Sequence, residues 1–145
     1  MEQSFEGLYL RHAKRTLGEI DIVREAELEG NPVGVTMLTS FYGTLGYVFY
    51  IAVAESQRRK RIGGLLLDDA IQLFKGMGLN QAFASVEGHN AASVGLFRSR
   101  GFSKTSYGQV ARRFGKIRAI VLYRRMLVVP GETLLSKSLD QTALA

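Results

Sequence analysis

The sequence has no cysteine in its 145 residues, which excludes disulfides, thiolate metal sites and a cysteine nucleophile. It has only two histidines, His12 and His89, which are too few and too far apart in the sequence to suggest a metal site. No apolar run approaches the roughly 20 residues of a membrane-spanning helix, and the stretch from Met1 to Gly7 lacks the apolar core of a signal peptide. These absences predict a soluble, cytoplasmic protein without a bound metal.

Positive charge exceeds negative charge in the sequence, since Lys and Arg total 19, Asp and Glu total 13, and the formal net charge is +6. The excess favours an anionic partner, such as nucleic acid, a phosphorylated cofactor or an acidic peptide. A basic soluble protein without any such partner is the alternative. Because composition does not decide between these, the choice depends on the motifs.

Hydrophobic periodicity predicts one domain over residues 1–129 and a C-terminal tail over 130–145, for which a loose helix and disorder are both open. The predicted order is α-β-β-β-α-β-α-β-β, with a helix over 4–18, strands over 20–28, 33–42 and 47–54, a helix over 62–75, a strand over 82–86, a helix over 90–100, and a hairpin of strands over 103–113 and 117–128. The strand over 47–54 is apolar on both faces, which predicts a central position. The pattern indicates an α/β fold with a mixed sheet and helices on its faces.

The segment from Val53 to Leu66 runs from a buried strand through a basic loop directly into a helix. A helix start leaves several backbone N–H groups without intrahelical partners and carries about half a positive charge. The four consecutive cations from Arg58 to Arg61, followed by Gly63 and Gly64, add attraction and allow close approach to the backbone. A pyrophosphate fits such a site, and the alternatives are a solvated basic loop and a nucleic-acid patch.

A second segment begins after the predicted strand over 82–86. Asn90 is a good N-cap residue for the helix that follows. Gly101 is suited to end that helix in a left-handed conformation, and Phe102 is placed to fold back on it. Capping and packing alone would also explain these residues.

The two segments together resemble the GNAT superfamily of N-acetyltransferases. Its acetyl-CoA-binding pattern, Arg/Gln-x-x-Gly-x-Gly/Ala, corresponds to the residues 58–63, with Arg61 in place of the first glycine. Its later pattern, Asn-x-x-Ala/Ser-x-x-x-Tyr/Phe-x-x-x-Gly-Phe, corresponds to the residues 90–102. The resemblance covers residues 25–128, and within it the segment 46–53, with the cations that follow, is similar to protein N-terminal acetyltransferases.

The resemblance implies a mostly antiparallel sheet that is splayed at its centre, with helices on both faces and a shortened N-terminal region. It implies that acetyl-CoA binds as the acyl donor, with the pantetheine arm in the gap between the splayed strands and the pyrophosphate on the helix start. The residues that it places against the cofactor are Ile51, Ala52, Val53, Arg58, Arg59, Lys60, Arg61, Ile62, Gly63, Gly64, Asn90, Ser93 and Phe97.

The resemblance also implies that a neutral amine attacks the thioester directly, while a strand N–H, that of Val53, polarises the carbonyl. Many relatives place a tyrosine on the second helix to protonate the leaving thiolate, and that position is Phe97 in this chain. The candidate catalytic hydroxyls are therefore Ser93, which shares a helix face with Phe97, and Tyr50 and Tyr107, on predicted strands near the gap. Capping and core packing are the alternative roles for these residues.

The sequence assigns neither a general base nor an acceptor. The strand over 47–54 has no carboxylate, while Glu87 and His89 precede the second helix, and water could also relay the proton. A protein α-amine is the leading acceptor, followed by lysine and a small polyamine. The family usually begins with a strand and two helices that wall the acceptor site, but this chain has room for only one helix there. The cleft is therefore expected to be open, or closed by a second subunit of a homodimer or by the tail.

Two other classes of function remain open from the sequence. A catalytically silent acyl-CoA-binding module is favoured by Phe97 and by the missing strand carboxylate. A nucleic-acid-binding protein is favoured by clustered cations, although no recognised nucleic-acid motif accompanies them. These cations are Arg58, Arg59, Lys60, Arg61, Arg112, Arg113, Arg124 and Arg125.

Overall fold

The computed structural model describes residues 8–12, 22–55, 61–87, 90–126 and 131–139. The strands in these residues are β1 (Leu8–His12), β2 (Ile22–Leu28), β3 (Asn31–Phe41), β4 (Leu45–Val53), β5 (Gln81–Glu87), β6 (Ser103–Thr105) and β7 (Glu132–Ser138). The helices are α1 (Ile62–Gly76), α2 (Ala91–Ser99), α3 (Tyr107–Phe114) and α4 (Lys116–Arg125). No helix among the described residues is long and apolar enough to cross a membrane.

The strands form a single seven-stranded sheet in the order β1-β2-β3-β4-β5-β7-β6. All neighbouring strands are antiparallel except β4 and β5. The β2–β3 hairpin turns at Glu29 and Gly30, which both have positive φ, 53° and 84°, as tight hairpin turns require. The parallel pair instead needs a crossover connection, and α1 supplies it.

The sheet opens at its centre because β4 and β5 pair over only part of their length. Their register runs from Leu45↔Gln81 to Val48↔Ala84, although β4 continues to Val53. On the other side of β4, Met37 of β3 pairs with Tyr50 while Leu38 pairs with Val48. Phe49 is therefore the extra residue of a β-bulge, which bends β4 where its pairing with β5 ends. The predicted splayed, mixed sheet is confirmed.

Helices α1 and α2 cover one face of the sheet. Their apolar residues pack with the inward side chains of the central strands in one core, which includes Leu67, Phe74, Val48, Ala84 and Phe97. The ring of Phe74 lies directly on the backbone of Gly46, where an added Cβ would come within 2.7 Å of it. Since no side chain other than hydrogen fits there, this glycine lets α1 lie close against β4.

Helices α3 and α4 cover the opposite face, since Phe83 alternates with Ala82 and Ala84 along β5 and packs with a separate core. That core includes Val110 of α3, Leu122 of α4 and Leu134 of β7. The buried Tyr47 hydroxyl of β4 donates a 2.6 Å hydrogen bond to the carbonyl oxygen of Met126, just after α4. The C-terminal end of α4 is thereby fixed to the central strand.

The predicted N-terminal helix is wrong where the structure describes it. Residues Leu8–His12 form β1, which pairs antiparallel with β2 from Leu8↔Leu28 to His12↔Arg24. A short apolar segment fits a helical and an extended pattern about equally well. The strand forms because its backbone hydrogen-bonds to the edge of β2 that does not face β3. The rest of the predicted helix lies outside the described residues.

The predicted hairpin over 103–128 is also wrong. After the three-residue strand β6, Ser106 begins α3 with a capping box, in which its Oγ accepts from the N–H of Gln109 at 3.2 Å and its N–H donates to the Gln109 side chain at 2.9 Å. In and after α4, Ala119, Leu122 and Met126 are buried at helical spacing. Gly115 does mark a turn, with φ of 93°, but it joins two helices rather than two strands.

The predicted C-terminal tail contains a strand of the sheet. Residues Glu132–Ser138 form β7, which pairs with β5 on one side and with β6 on the other. The expectation of a loose helix or disorder is therefore wrong for this stretch. Leu134 and Leu135 are both buried, one on each face of the sheet. The sequence of β7 therefore does not show the alternation of apolar and polar residues that indicates a strand with one exposed face. Residues 140–145 lie outside the described residues.

Two neighbouring aspartates of α1 make ion pairs of different burial. Asp69 accepts two hydrogen bonds from the Arg24 guanidinium of β2, at 2.8 and 2.7 Å, and the two side chains are 13% and 17% exposed. The hydrogen bond to Asp69 is the largest cause of the raised pKa of Arg24. Asp68 pairs instead with Arg100, and those side chains are 50% and 29% exposed.

We expect Asp69→Asn to lower the free energy of unfolding by about 2 kcal/mol, because it leaves the Arg24 charge half-buried without its partner. Asp68→Asn is the matched control, and it should cost less than about 1 kcal/mol because its ion pair is exposed. Urea denaturation of the two variants measures both values. Equal losses would show that the bidentate pair does not hold β2 to α1.

Candidate functional site

The gap in the sheet is bounded on one side by the second half of β4. The N–H of Ala54 donates to the carbonyl of Val33 in β3 at 2.7 Å. Because successive residues of a strand direct their backbone groups to opposite edges, Ile51 and Val53 direct theirs away from β3, toward the gap. Ile51, Ala52 and Val53 are all partly buried.

Helix α1 begins beside the end of β4 with an unusual backbone conformation. Arg61, its N-cap residue, has φ of 65° and ψ of 13°, in the left-handed region. The first N–H bonded within the helix is that of Leu65, to the Arg61 carbonyl at 3.1 Å. The N–H groups of Ile62, Gly63 and Gly64 therefore precede the hydrogen-bond ladder, and no side chain of the described residues caps them. Such a helix start is suited to an anion.

The two glycines at this helix start have different surroundings. A Cβ on Gly63 would lie 3.6 Å from Leu96 and 3.8 Å from Val53, so this residue faces the space between β4 and α2 without a clash. A Cβ on Gly64 would lie 2.3 Å from Arg100 Nη2. Gly64 therefore makes room for the arginine that pairs with Asp68, and Gly63 is the glycine that leaves space open.

The start of α2 has the predicted cap. The side-chain oxygen of Asn90 accepts a 3.1 Å hydrogen bond from the N–H of Ser93. Among the described residues nothing accepts from the side-chain NH₂ of Asn90, so those donors are available for a ligand. Ser93 is partly buried, and its place in the first turn is set by this cap.

The end of α2 is also as predicted, and it determines the surroundings of Phe97. Gly101 has φ of 93°, and the N–H of Phe102 donates to the Phe97 carbonyl at 3.1 Å. The two rings meet edge to face with centroids 5.1 Å apart, and Phe97 is only 5% exposed. This position is part of the core beneath α1 and α2.

The predicted catalytic hydroxyls do not come together. Tyr50 is on β4 and 52% exposed. Tyr107 is not on a strand, as predicted, but is the first residue of α3, where its ring packs edge to face on Tyr123 at 5.2 Å. Burial, and secondly Tyr107, raise the pKa of Tyr123. Because α2 and α3 cover opposite faces, the sheet separates Ser93 from Tyr107.

Several predicted site residues are not part of the described structure. Arg58, Arg59 and Lys60 lie outside the described residues, and so does His89. The described part of the predicted pyrophosphate site is therefore Arg61 with the first turn of α1.

A polar group lies beside the gap that the sequence pattern does not indicate. Ser85 directly follows Ala84, the last residue of β5 that pairs with β4, and its Oγ donates a 2.8 Å hydrogen bond to Glu132 Oε1 of β7. Burial, and secondly the Glu132 carboxylate, raise the pKa of the Tyr47 phenol, while a hydrogen bond with Ser85 lowers it. Glu132 was missed because its segment was predicted as a tail. Placing a strand after Gly131 would have brought it to the sheet.

Comparison with known proteins agrees with this geometry. The sequence profile of the acetyltransferase (GNAT) family matches residues 2–102, and the chain belongs to that family. It is similar to L-methionine sulfoximine/L-methionine sulfone acetyltransferases of Pseudomonas aeruginosa and Pseudomonas paraeruginosa, at 38% identity over 77 residues, which are 52% of this chain and 44% of each relative. The matched region is therefore less than half of the length of each relative.

Solved structures share the fold at low sequence identity. An IAA acetyltransferase from Bacillus cereus is 17% identical with a TM-score of 0.67, over 90% of this chain and 99% of that one. A GNAT family acetyltransferase from Elizabethkingia anophelis with acetyl-CoA bound is 15% identical with a TM-score of 0.67, over 92% and 99% of the two chains. The predicted superfamily and fold class are confirmed.

The left-handed conformation of Arg61 explains why the family pattern has glycine there, and it gives a stability prediction. A side chain in this region costs about 1–2 kcal/mol, and glycine returns about 0.5–1 kcal/mol through its entropy in the unfolded chain. We therefore expect Arg61→Gly to raise the free energy of unfolding by about 0.5–1 kcal/mol in urea denaturation.

Arg61→Ala is the control for this prediction, because it removes the same charge but keeps a Cβ at positive φ. It should bring no gain in stability. If the alanine variant is as stable as the glycine variant, relief of repulsion among neighbouring cations, rather than backbone strain, explains the gain.

Proposed function

We propose that this protein transfers the acetyl group of acetyl-CoA to the primary amine of a small, amino-acid-sized acceptor. The observation that carries the proposal is the gap between β4 and β5, which leads from two strand edges to the uncapped start of α1. A long acyl carrier with a pyrophosphate at its far end is complementary to that arrangement. Membership of the acetyltransferase (GNAT) family supports the same donor.

The donor is held mainly by backbone in this proposal. The pantetheine arm lies along β4 and bonds the backbone groups of Ile51 and Val53, past Ala52, as an added strand would. The side-chain NH₂ of Asn90 bonds the arm from the opposite side. The pyrophosphate accepts from the N–H groups of Ile62, Gly63 and Gly64, and Arg61 adds a positive charge. Arg58, Arg59 and Lys60 add further charge in the same proposal.

The chemistry is direct attack of the amine on the thioester. Holding the two substrates in line supplies most of the acceleration, up to roughly 7–11 kcal/mol in favourable systems. The Val53 N–H donates to the carbonyl oxygen as negative charge develops there. Ser93 and Tyr50 are the hydroxyls proposed to stabilise the leaving thiolate. Phe97 supplies no proton and is assigned to packing.

The Glu132 carboxylate is proposed as the group that accepts the proton of the attacking amine. It lies beside the gap through its bond with Ser85, on the face that α3 and α4 cover. A carboxylate there also favours the approach of a cationic amine. The hydrogen bond of Ser85 to Glu132 supports this assignment, for which the sequence alone offers no group.

The size of the acceptor is inferred from the covered face. The pair of helices α3 and α4 packs on the sheet beside the gap and is anchored there by Tyr47. In this proposal the helices restrict the acceptor cleft, which was expected to be open because the N-terminal region is short. The curated relatives are named for L-methionine sulfoximine and L-methionine sulfone, which are small amines. A protein α-amine, the leading acceptor from the sequence, and lysine or a polyamine are tested as alternatives.

The test of the proposed function is thiol release from acetyl-CoA in the presence of free methionine, a peptide α-amine, lysine and spermidine. Because the chain has no cysteine, a thiol reagent reports only released CoA. We expect turnover with free methionine. We also expect acetyl-CoA to stabilise the protein against thermal unfolding, by about 2.7 kcal/mol when its concentration is 100 times its Kd. Binding without turnover on any amine would indicate a silent acyl-CoA-binding module, and no binding at millimolar acetyl-CoA would contradict the proposal.

Gly63→Glu is expected to abolish acetyl-CoA binding and turnover while the fold persists. A Cβ at this position meets no atom of the described residues closer than 3.6 Å, but a carboxylate would enter the proposed phosphate position and repel it. Calorimetry with acetyl-CoA and circular dichroism measure the two effects. The control for added charge is Gly95→Glu, at an exposed site of α2 where an added Cβ has no neighbour within 4 Å. If Gly63→Glu binds acetyl-CoA as tightly as the wild type, the phosphate lies elsewhere.

Glu132→Gln is expected to lower kcat by roughly 10²-fold, the lower end of general acid–base contributions, with an unchanged Kd for acetyl-CoA. Glu87→Gln is the matched control, since Glu87 is paired in register with Glu132 on β5. Equal losses in both variants would show that local negative charge, and not Glu132 itself, is needed.

A further inference from the structure

A cavity of about 530 Å³ lies on the other side of the sheet from α1 and α2, between α3 and the strands β5, β6 and β7. Its floor includes Gln81 and Phe83 of β5 and Ser136 of β7, which share a face because Phe83 and Ser136 are cross-strand partners. The gap opens beyond Ala84, at the opposite end of β5. The buried side chains of Leu134 and Tyr47 belong to the core on this face.

The wall of the cavity is cationic. Arg112 and Arg113 of α3 both line it, and neither makes an ion pair with any of the described residues. No Asp or Glu lines the cavity, and every charged residue in the sequence from Ser103 to Met126 is Lys or Arg. Two arginines that line one cavity, with no acidic partner in the described structure, favour a negatively charged occupant.

The floor of the cavity has an unsatisfied acceptor. Gln81 Oε1 is buried and has no hydrogen-bond partner among the described residues. A buried carbonyl oxygen without a donor is destabilising, so native structures usually satisfy it with a neighbour, water or a ligand. The hydroxyl of Ser136 lies on the same floor. The oxygen is closed to solvent in this side-chain conformation, so an occupant with an N–H or O–H donor would satisfy Gln81 once the amide rotates toward the cavity.

The cavity also has aromatic walls, which distinguish it from a site for a bare ion. The rings of Phe83 and Phe114 meet edge to face with centroids 6.4 Å apart, and both line the cavity. The Arg113 guanidinium carbon lies 5.7 Å from the centre of the Phe114 ring, a cation–π contact that holds the cationic group beside the apolar surface. The volume of about 530 Å³ is in the range of small-molecule pockets.

We infer that this cavity is a second ligand site, which binds a small organic oxyanion with a flat apolar body and a hydrogen-bond donor. The oxyanion, a phosphate or a carboxylate, pairs with Arg112 and Arg113. The body rests against Phe83 and Phe114, and the donor reaches Gln81. This site is separate from the proposed donor site, so a ligand here binds with acetyl-CoA rather than in its place.

The experiment is calorimetric titration of the full chain with phenyl phosphate, with 4-hydroxybenzoate and with the neutral 4-hydroxybenzyl alcohol, each in the presence of excess CoA. Excess CoA occupies the proposed phosphate site at α1, so the heat reports the cavity. We expect both anions to bind at least tenfold more tightly than the alcohol. The order of the two anions in the Gln81→Leu variant, where the extra hydroxyl of 4-hydroxybenzoate has no acceptor in Gln81, identifies a phosphate or a carboxylate as the preferred group.

Variants of the cavity decide the assignment. Arg112→Ala and Arg113→Ala should each weaken anion binding by at least tenfold, since one charge-assisted hydrogen bond is worth about 1.5–3 kcal/mol. Gln81→Leu should weaken 4-hydroxybenzoate more than phenyl phosphate, because only the former carries a separate donor. Arg124→Ala, on the same pair of helices but outside the cavity, is the matched control.

The inference would be overturned by three results. Wild-type affinity in both arginine variants would show that the cavity does not hold the anion. Equal weakening by Arg124→Ala would reduce the effect to general positive charge. Absence of binding for both anions at 10 mM would show that the cavity has no such ligand, and none of these results bears on acetyl-CoA binding.

Discussion

The structure depends on the way that β4 divides its hydrogen bonds between two neighbours. Up to Val48 the strand is paired on both edges, antiparallel with β3 and parallel with β5. The bulge at Phe49 then bends it, and only the pairing with β3 continues to Val53. A backbone that leaves one neighbour in the middle of a sheet must find other hydrogen-bond partners. Beyond Val48 the edge of β4 toward β5 is no longer paired with that strand, and the acyl donor is proposed to lie along it.

The direction of α1 follows from the same divergence. The helix returns along the sheet as the crossover between parallel strands, so its start lies at the open end of the gap and its body lies over the closed end, where Phe74 packs on Gly46. The left-handed Arg61 is the N-cap residue at which the helix begins. One connection therefore provides the core packing, the entry to the gap and an electropositive helix start. The ion pair of Asp69 with Arg24 ties this helix to the antiparallel half of the sheet.

The sequence predicted the elements whose signals are local and strong. The hairpin of β2 and β3, the central position of β4, α1, and both caps of α2 all follow from turn residues, apolar runs and helix-ending glycine. It failed where a tertiary partner decides the conformation. β1 is a strand because β2 offers an edge, and β7 is a strand because β5 and β6 lie on either side of it. In the α3 segment, the Ser106 capping box was overlooked beside β-branched residues that favour strands. Glu132 could not be placed near the gap until β7 was known.

The position of α3 and α4 in the chain has a consequence for how this protein can change. Both helices lie between β6 and β7, so the cover of one face of the sheet comes from one contiguous stretch, while the strand edges, helix start and asparagine cap of the proposed donor site come from another, earlier stretch. The two stretches meet in the core on that face, where Leu122 packs with Phe83, and at the hydrogen bond from Tyr47 to the Met126 carbonyl. Substitutions and insertions in the later stretch that keep these contacts can therefore alter what the covered face admits without disturbing the earlier one. The same division would let an engineer graft a different helical pair between β6 and β7, provided that it packs on Phe83 and offers an acceptor to Tyr47.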